Sequence, residues 1–332
     1  MTAASTRDLR QLPKAHLHLH LEGAMRPTTL VELSEHYGAP PPAPPDGSFE
    51  TFVSLYRAAA AMLRSPTDYV RLMDEVVDDA AADGVVWVEP AEWLAPGQPE
   101  RLGLVDARAV LDVLLDAARQ ASARTGVAVG LMVSGNRTRP PEEALALARL
   151  AEEYAGRGVV SFGLADDETR GRPEPFAAAF EIARGAGLIA APHAGEHGGP
   201  DSVRAALDAL GARRIQHGVR AAEDPDLLRR LADEGVCLDV CPTSNVHLRV
   251  VESLAAHPLP ALLDAGVSVS LNADDPLFFG SGVLAEYELA RDTLGLDDAT
   301  LAHIAACSMR ASGAPAELKA KALIDIERWL ES

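Results

Sequence analysis

At 332 residues, 48% of them hydrophobic and with a mean hydropathy of +0.01, the chain can bury a sizeable core, yet no run in it approaches a membrane span. Its 30 basic and 49 acidic residues leave a formal net charge of −19, which opposes close approach to DNA, RNA or an anionic membrane and favours a small-molecule partner. Cys237, Cys241 and Cys307 are too few and too scattered for a disulfide framework, and the polar stretch Met1 to Lys14 shows neither an apolar core nor a cleavage site, so a cytoplasmic protein is expected.

The first predicted strand, Ala15 to Leu21, carries His16, His18 and His20 alternating with Leu17, Leu19 and Leu21. Side chains two apart on a strand point the same way, so neighbouring histidines such as His18 and His20 can present imidazoles to one metal ion. A surface strand or a tag is the bland alternative, but the leucines would bury the opposite face. After this strand comes a long insertion with a proline-rich connector, Pro40 to Pro45, and a helical stretch from Phe49 to Leu63, placed to cover the end of the strand. Phe52, Leu55, Tyr56 and Met62 share its helical spacing, which suits ordinary packing better than substrate contact.

Further apolar runs follow at Val85 to Val88, Val127 to Val133, Val159 to Leu164, Leu188 to Pro192, Arg214 to His217, Val236 to Val240 and Val267 to Asn272. Helical patterns lie between them, as at Ala107 to Ala123, Pro141 to Tyr154, Pro173 to Gly185, Ser202 to Leu210 and Asp224 to Glu234. Glycines just before several strands supply the left-handed residue that ends the preceding helix. Strands alternating with helices, eight times over, predict a parallel (β/α)₈ TIM barrel with a helical insertion after the first strand covering the active site, a single domain over residues 1–332.

In such a barrel the strand C-terminal ends share one rim. His18 and His20 end strand one, His193 ends strand five with Glu196 three residues on, His217 ends strand six, and Asp274 and Asp275 end strand eight. A lone histidine at a strand end is more often structural than ligating. Together, His18, His20, His193 and Asp274 form a nitrogen-rich, thiolate-free set suited to Zn²⁺, with Fe²⁺, Mn²⁺ and Co²⁺ left open by ligand type. Zinc would make hydroxide available near neutral pH, with Glu196 and His217 beside it as acid and base candidates.

These residues sit in Leu12-Pro13-Lys14, Leu17-His18-Leu19-His20-Leu21-Glu22-Gly23, His193-Ala194-Gly195-Glu196, Gln216-His217-Gly218, Val240 to Asn245 and Ser270 to Leu277. In that order the segments resemble the adenosine/adenine deaminase family of the metal-dependent amidohydrolase barrels. The resemblance implies that His18, His20, His193 and Asp274 bind one Zn²⁺ per chain. It also implies that Glu196 protonates purine N1, that His217 orients and deprotonates the attacking water, and that Asp275 hydrogen-bonds N7. The substrate contacts it implies are His20, Glu22, Asp166 and Asp275, while His16 matches no ligand and is expected behind the site.

Three positions depart from the family pattern. Glu22 stands where adenosine deaminases carry the aspartate that contacts the sugar, and is more similar to the adenine deaminase branch. Asp166 replaces a glycine whose backbone N–H meets purine N3, and Glu89-Pro90-Ala91-Glu92-Trp93 lacks the family's Glu-x-Arg. The implied activity is hydrolytic deamination of adenosine or a 5′-modified adenosine, with adenine and 6-aminodeoxyfutalosine as alternatives. A catalytically silent nucleoside-binding protein would be marked by loss of Glu196, His217 or a ligand, and none is lost. Ester or amide hydrolysis suits the Asp274-Asp275 pair less well, because the second carboxylate has no metal role.

Overall fold

In the computed structural model, residues 7–40 and 48–332 are described; the middle of the proline-rich connector, from Pro41 on, lies outside them. Eight parallel strands alternate with helices: β1 (Lys14–His20), β2 (Val85–Glu92), β3 (Leu131–Asn136, preceded by a short segment Ala128–Val129 that also pairs with β2), β4 (Val159–Ala165), β5 (Ile189–Ala190, resumed at His193–Ala194), β6 (Arg214–His217), β7 (Cys237–Val240) and β8 (Ser268–Leu271). Hydrogen bonding runs in the order β1-β2-β3-β4-β5 on one side and β5-β6-β7-β8 on the other. This is the expected (β/α)₈ barrel.

Two seams join those halves. Pro192 has no N–H to give to a ladder, and β5 is interrupted at that point: Ile189 and Ala190 pair with β4, whereas His193 and Ala194 pair with β6. At the other seam Leu19 bridges Asp274, with the Asp274 amide donating to the His18 carbonyl (3.1 Å) and the His20 amide to the Asp274 carbonyl (3.0 Å). The Asn272 side-chain oxygen accepts the Leu17 and His18 amides at 2.7 and 3.1 Å, tying β8 to β1.

Strands covered on both faces need apolar residues facing the helices and a filled interior. Leu17 and Leu19 join the main buried cluster, which also includes Val85, Val133, Phe162, Ile215, Leu238 and Val269. The interior carries charge. Arg214, fully buried, holds Glu89 at 2.8 Å and Asp239 at 2.7 Å, also fully buried, and donates to the Leu17 carbonyl at 3.3 Å. Lys14 is likewise buried, donating to the carbonyls of Leu9 and Asp83 at 2.9 and 2.8 Å.

Between β1 and β2 stand α1 (Pro27–Tyr37), α2 (Phe49–Ala60) and α3 (Pro66–Ala82). The Ser48 hydroxyl caps α2 by accepting the Thr51 amide at 3.2 Å, and a reciprocal Ser65/Asp68 capping box starts α3. Helix α2 lies over the barrel rim. Its Phe52 ring packs on Phe278 and Phe279 at centroid distances of 5.5 and 5.4 Å, in a small cluster with Leu248 that is separate from the main core.

Candidate active site

The strand C-terminal ends converge beneath α2 on a cavity of about 110 Å³ lined by His20, His193, Glu196, His217, Asp274 and Asp275 below and by Phe52, Tyr56 and Arg57 from α2. His18 Nε2 lies 3.1 Å from Asp274 Oδ1, His20 Nε2 3.4 Å from the same oxygen, and His20 Nε2 3.3 Å from His193 Nε2. Every sequence-predicted ligand is therefore in one place. His18, His193, His217 and Asp274 can each point a ligand atom to within 4.8 Å of the others, and His20 adjoins them through Asp274 and Asp275.

The donor set fits a cation. Burial holds His193 well below its ordinary pKa and pushes His20 down to about 4, so both rings are neutral. His18 Nε2 and His193 Nδ1 are buried without a hydrogen bond, and two ring nitrogens face each other at 3.3 Å. Lone pairs converging on a carboxylate repel unless a positive charge sits among them. His18 Nδ1 meets the Asp239 carbonyl at 3.3 Å, which places its proton there and turns the Nε2 lone pair inward. Ser244 donates to Asp274 Oδ2 at 2.6 Å.

His217 is held in the opposite tautomer. The Leu259 amide donates to His257 Nδ1 (3.1 Å), so His257 Nε2 carries the proton and donates to Asn245 Oδ1 (3.2 Å). The Asn245 amide group then donates to His217 Nδ1 at 3.2 Å, which leaves the His217 proton on Nε2. Burial keeps this ring neutral as well. His217 thus shows the cluster a donor, with Glu196 Oε1 at 3.6 Å and Asp274 Oδ2 at 3.7 Å.

Two carboxyls are set up to hold protons. Burial, then the charges of Asp274 and Glu168, push Glu196 well above the usual carboxylate range; burial, then Asp274, do the same for Asp275. Gly23 leaves room for the latter, because a Cβ there would lie 1.7 Å from Asp275 Oδ1. His16, the third histidine of β1, accepts the Ala273 amide at 3.1 Å and so supports the Asp274 turn from behind.

The departures from the family pattern cluster on α2 and its contacts. Glu22 does not line the cavity; its carboxylate accepts the hydroxyls of Tyr56 (2.8 Å) and Tyr69 (3.3 Å) and adjoins Glu92, which Gln98 holds at 2.6 Å. Asp166 does line it, accepting Asn136 Nδ2 at 2.7 Å and pairing with Arg57 of α2 at 2.9 Å. Phe52 and Tyr56 face the cavity, whereas Met62 joins the main core and Leu55 is half-buried away from the cavity. Sequence reasoning missed Arg57, Asn136, Ser244, Asn245 and His257. Ser244 and Asn245 sit inside a matched segment, but nothing in the pattern says what they touch.

The family model for adenosine deaminase matches residues 13–329. A Streptomyces coelicolor protein assigned as an adenosine/adenine deaminase is 46% identical over 98% of each chain, and an adenine deaminase of Chelativorans sp. is 41% identical over 97% of this chain and all of its own. Among solved structures, the adenine deaminase of Arthrobacter aurescens superposes with a TM-score of 0.87 at 31% identity, covering 96% of this chain and 99% of that one. An amidohydrolase from Burkholderia ambifaria solved with bound Zn gives a TM-score of 0.86 at 26% identity over 97% and 93%. With motif order, barrel and rim geometry in agreement, this chain belongs to the adenosine deaminase family and is an aminohydrolase acting on a purine.

Proposed function

We propose that this chain carries out zinc-dependent hydrolytic deamination of a 6-aminopurine and prefers the free base adenine to adenosine and its 5′-modified relatives. A purine with C6 toward the histidines carries its N3 and N9 edge on the far side of the ring, toward α2. There Arg57 and Asp166 form an ion pair from the helix to the end of β4, and a ribosyl group on N9 would have to displace it. That ion pair carries the reading. It puts adenine ahead of the nucleosides that the sequence puts first, and the Chelativorans and Arthrobacter adenine deaminases support the same order.

His18, His20, His193 and Asp274 would hold the zinc, a reading supported by the convergence of His18, His20 and His193 ring nitrogens on Asp274 and on each other, by the unbonded His18 Nε2 among them, and by the zinc-bound Burkholderia structure. Bound there, zinc lowers the pKa of water toward neutrality. The protonated Glu196 donates to N1 and makes C6 electrophilic, and Asp275, with its own proton, donates to N7. His217 Nε2–H orients the attacking oxygen on C6. As N1 takes the Glu196 proton the oxygen bonds to C6; the proton left on that oxygen passes to the 6-amino group, the C6–N bond breaks, ammonia leaves and the 6-oxopurine remains, and the other proton of the water restores Glu196. Glu22 bears on the substrate through Tyr56.

The test is a panel of adenine, adenosine and 6-aminodeoxyfutalosine with zinc-loaded protein, followed at the adenine absorbance band. Adenine is expected to lead in kcat/KM by about tenfold or more, because a ribosyl group would need the space that the Arg57–Asp166 pair fills. A lead for adenosine would overturn the substrate, and a His18→Ala, His20→Ala variant that still binds one zinc would overturn the ligand set.

A further inference from the structure

Glu168 lies just past β4 and does not reach the cavity, yet its carboxylate accepts the backbone amides of four successive residues. Gly195 donates to Oε1 at 2.5 Å; Glu196, His197 and Gly198 donate to Oε2 at 3.0, 2.8 and 2.8 Å. Consecutive amides turned onto one anion form the kind of nest that elsewhere binds phosphate, and here the protein supplies the anion itself. Burial pushes the Glu168 carboxyl up, but the Ser202 hydroxyl, Arg137 and the amides outweigh it and keep it ionised.

Nothing comparable holds the side chain of Glu196. Its Oε1 is buried without a hydrogen bond, and the ring nitrogens of His197 and His217 beside it lie 3.6 Å away. The place of this carboxyl is therefore set by the loop beneath it. That loop is fitted to the clamp: Gly195 has a φ of +69°, and a Cβ on Gly198 would come within 2.8 Å of the Glu168 carboxyl. Arg137 ties the same loop from the other side by donating to the carbonyls of His193 and Leu164.

We infer that Glu168 is a positioning residue, whose clamp on the amides of residues 195–198 fixes the loop from which Glu196 reaches purine N1. The inference rests on the proposed acid role of Glu196. Displacing a reacting group by about an ångström can cost on the order of 10²-fold in rate, whereas substrate affinity and metal affinity depend on other residues.

The experiment is a double-mutant cycle of Glu168→Gln and Glu196→Gln on zinc-loaded protein, with adenine as substrate, or whichever panel member turns over fastest. Glu168→Gln alone is expected to lower kcat by about tenfold or more, with KM within about threefold and one zinc per chain retained. In the Glu196→Gln background the same change is expected to alter kcat by less than about twofold, since there is no acid left to place. Amide hydrogen exchange over residues 194–199 is expected to speed up in Glu168→Gln while the barrel strands stay protected. Equal factors in both backgrounds, or unchanged exchange in that loop, overturn the inference. Near-native kcat in Glu196→Gln by itself defeats the acid assignment and is read before the cycle is closed, so the two failures are distinct. Should Glu168→Gln not fold, Gly198→Ala tests the same clamp: φ at Gly198 is −83°, which alanine adopts freely, and the added methyl presses on the carboxylate.

Discussion

Asp166, His217 and Asp274 stand at or just past the ends of β4, β6 and β8 with a left-handed backbone, at φ values of 77°, 63° and 61°. For residues with a Cβ that conformation costs on the order of 1 kcal/mol each and persists where surrounding contacts over-determine it. At Asp274 those contacts are the β1 carbonyl and amide, and at His217 the hydrogen-bond chain through Asn245 to His257. His257 reaches His217 only through Asn245, but it decides which nitrogen of His217 carries the proton. His257→Leu frees Asn245 to turn its oxygen to His217 Nδ1 and so reverse the tautomer. A drop in kcat of about 10- to 100-fold is expected, the range for outer-shell partners, with zinc content unchanged and a tautomer shift in ¹⁵N-histidine spectra; a wild-type rate would show that the chain of bonds is idle. The sequence placed His18, His20, His193, His217 and Asp274 at one rim because a period of two and a count of strands suffice for that. It could not show His257, since a hydrogen-bond partner contributed by a loop has neither a period nor a motif.

Helix α2 is where element and substrate meet. Its presence over the rim follows from the length of the insertion, and Phe52 and Tyr56 follow from the helical spacing; that these two turn inward while Met62 packs into the core depends on how the helix is docked. Arg57 lies one residue past Tyr56 and reads in sequence as an ordinary solvated charge. Its side chain is indeed 58% exposed, so the pair with Asp166 contributes little to stability and acts by occupying space. Arg57→Ala is accordingly expected to leave the melting temperature nearly unchanged and to raise kcat/KM for adenosine relative to adenine by about tenfold. Asp166→Gly should do the same, and also relieve the left-handed backbone at that position. Constant ratios in both variants would show that the pair does not exclude ribose. Thermal melts and the purine panel together check this.

Across the whole molecule, counting apolar runs was enough to find the barrel but stopped short at the strand ends. β2 runs on to Glu92 and β3 to Asn136, beyond the last apolar residue of each predicted run, because the barrel interior accepts Glu89, Glu92, Ser134 and Asn136 as buried polar groups. An apolar pattern is blind to a polar interior. A buried carboxyl outside the strands, on the helix Val283–Asp292, makes stability depend on pH. Glu286 is fully buried, and burial, against the Ser281 and Thr243 hydrogen bonds, pushes its pKa from 4.5 to about 7. Since the folded chain keeps a proton that the unfolded chain has lost, the contribution of Glu286 to stability is undiminished below about pH 4.5, falls as the pH rises to 7, and is flat above. Glu286→Gln is expected to gain up to about 3 kcal/mol at pH 8 and almost nothing at pH 4.5 by urea unfolding; an equal gain at both would rule out the titration. The seam between β1 and β8 also bears on how the protein is made. His18 leaves the ribosome 254 residues ahead of Asn272, so neither the metal cluster nor the ring of strands can close until the whole stretch between them has been made. A chain released early by a nonsense codon before Asn272 therefore has both leading histidines and no centre to put them in, and its chemistry requires long-range contacts of the kind that are slow to form.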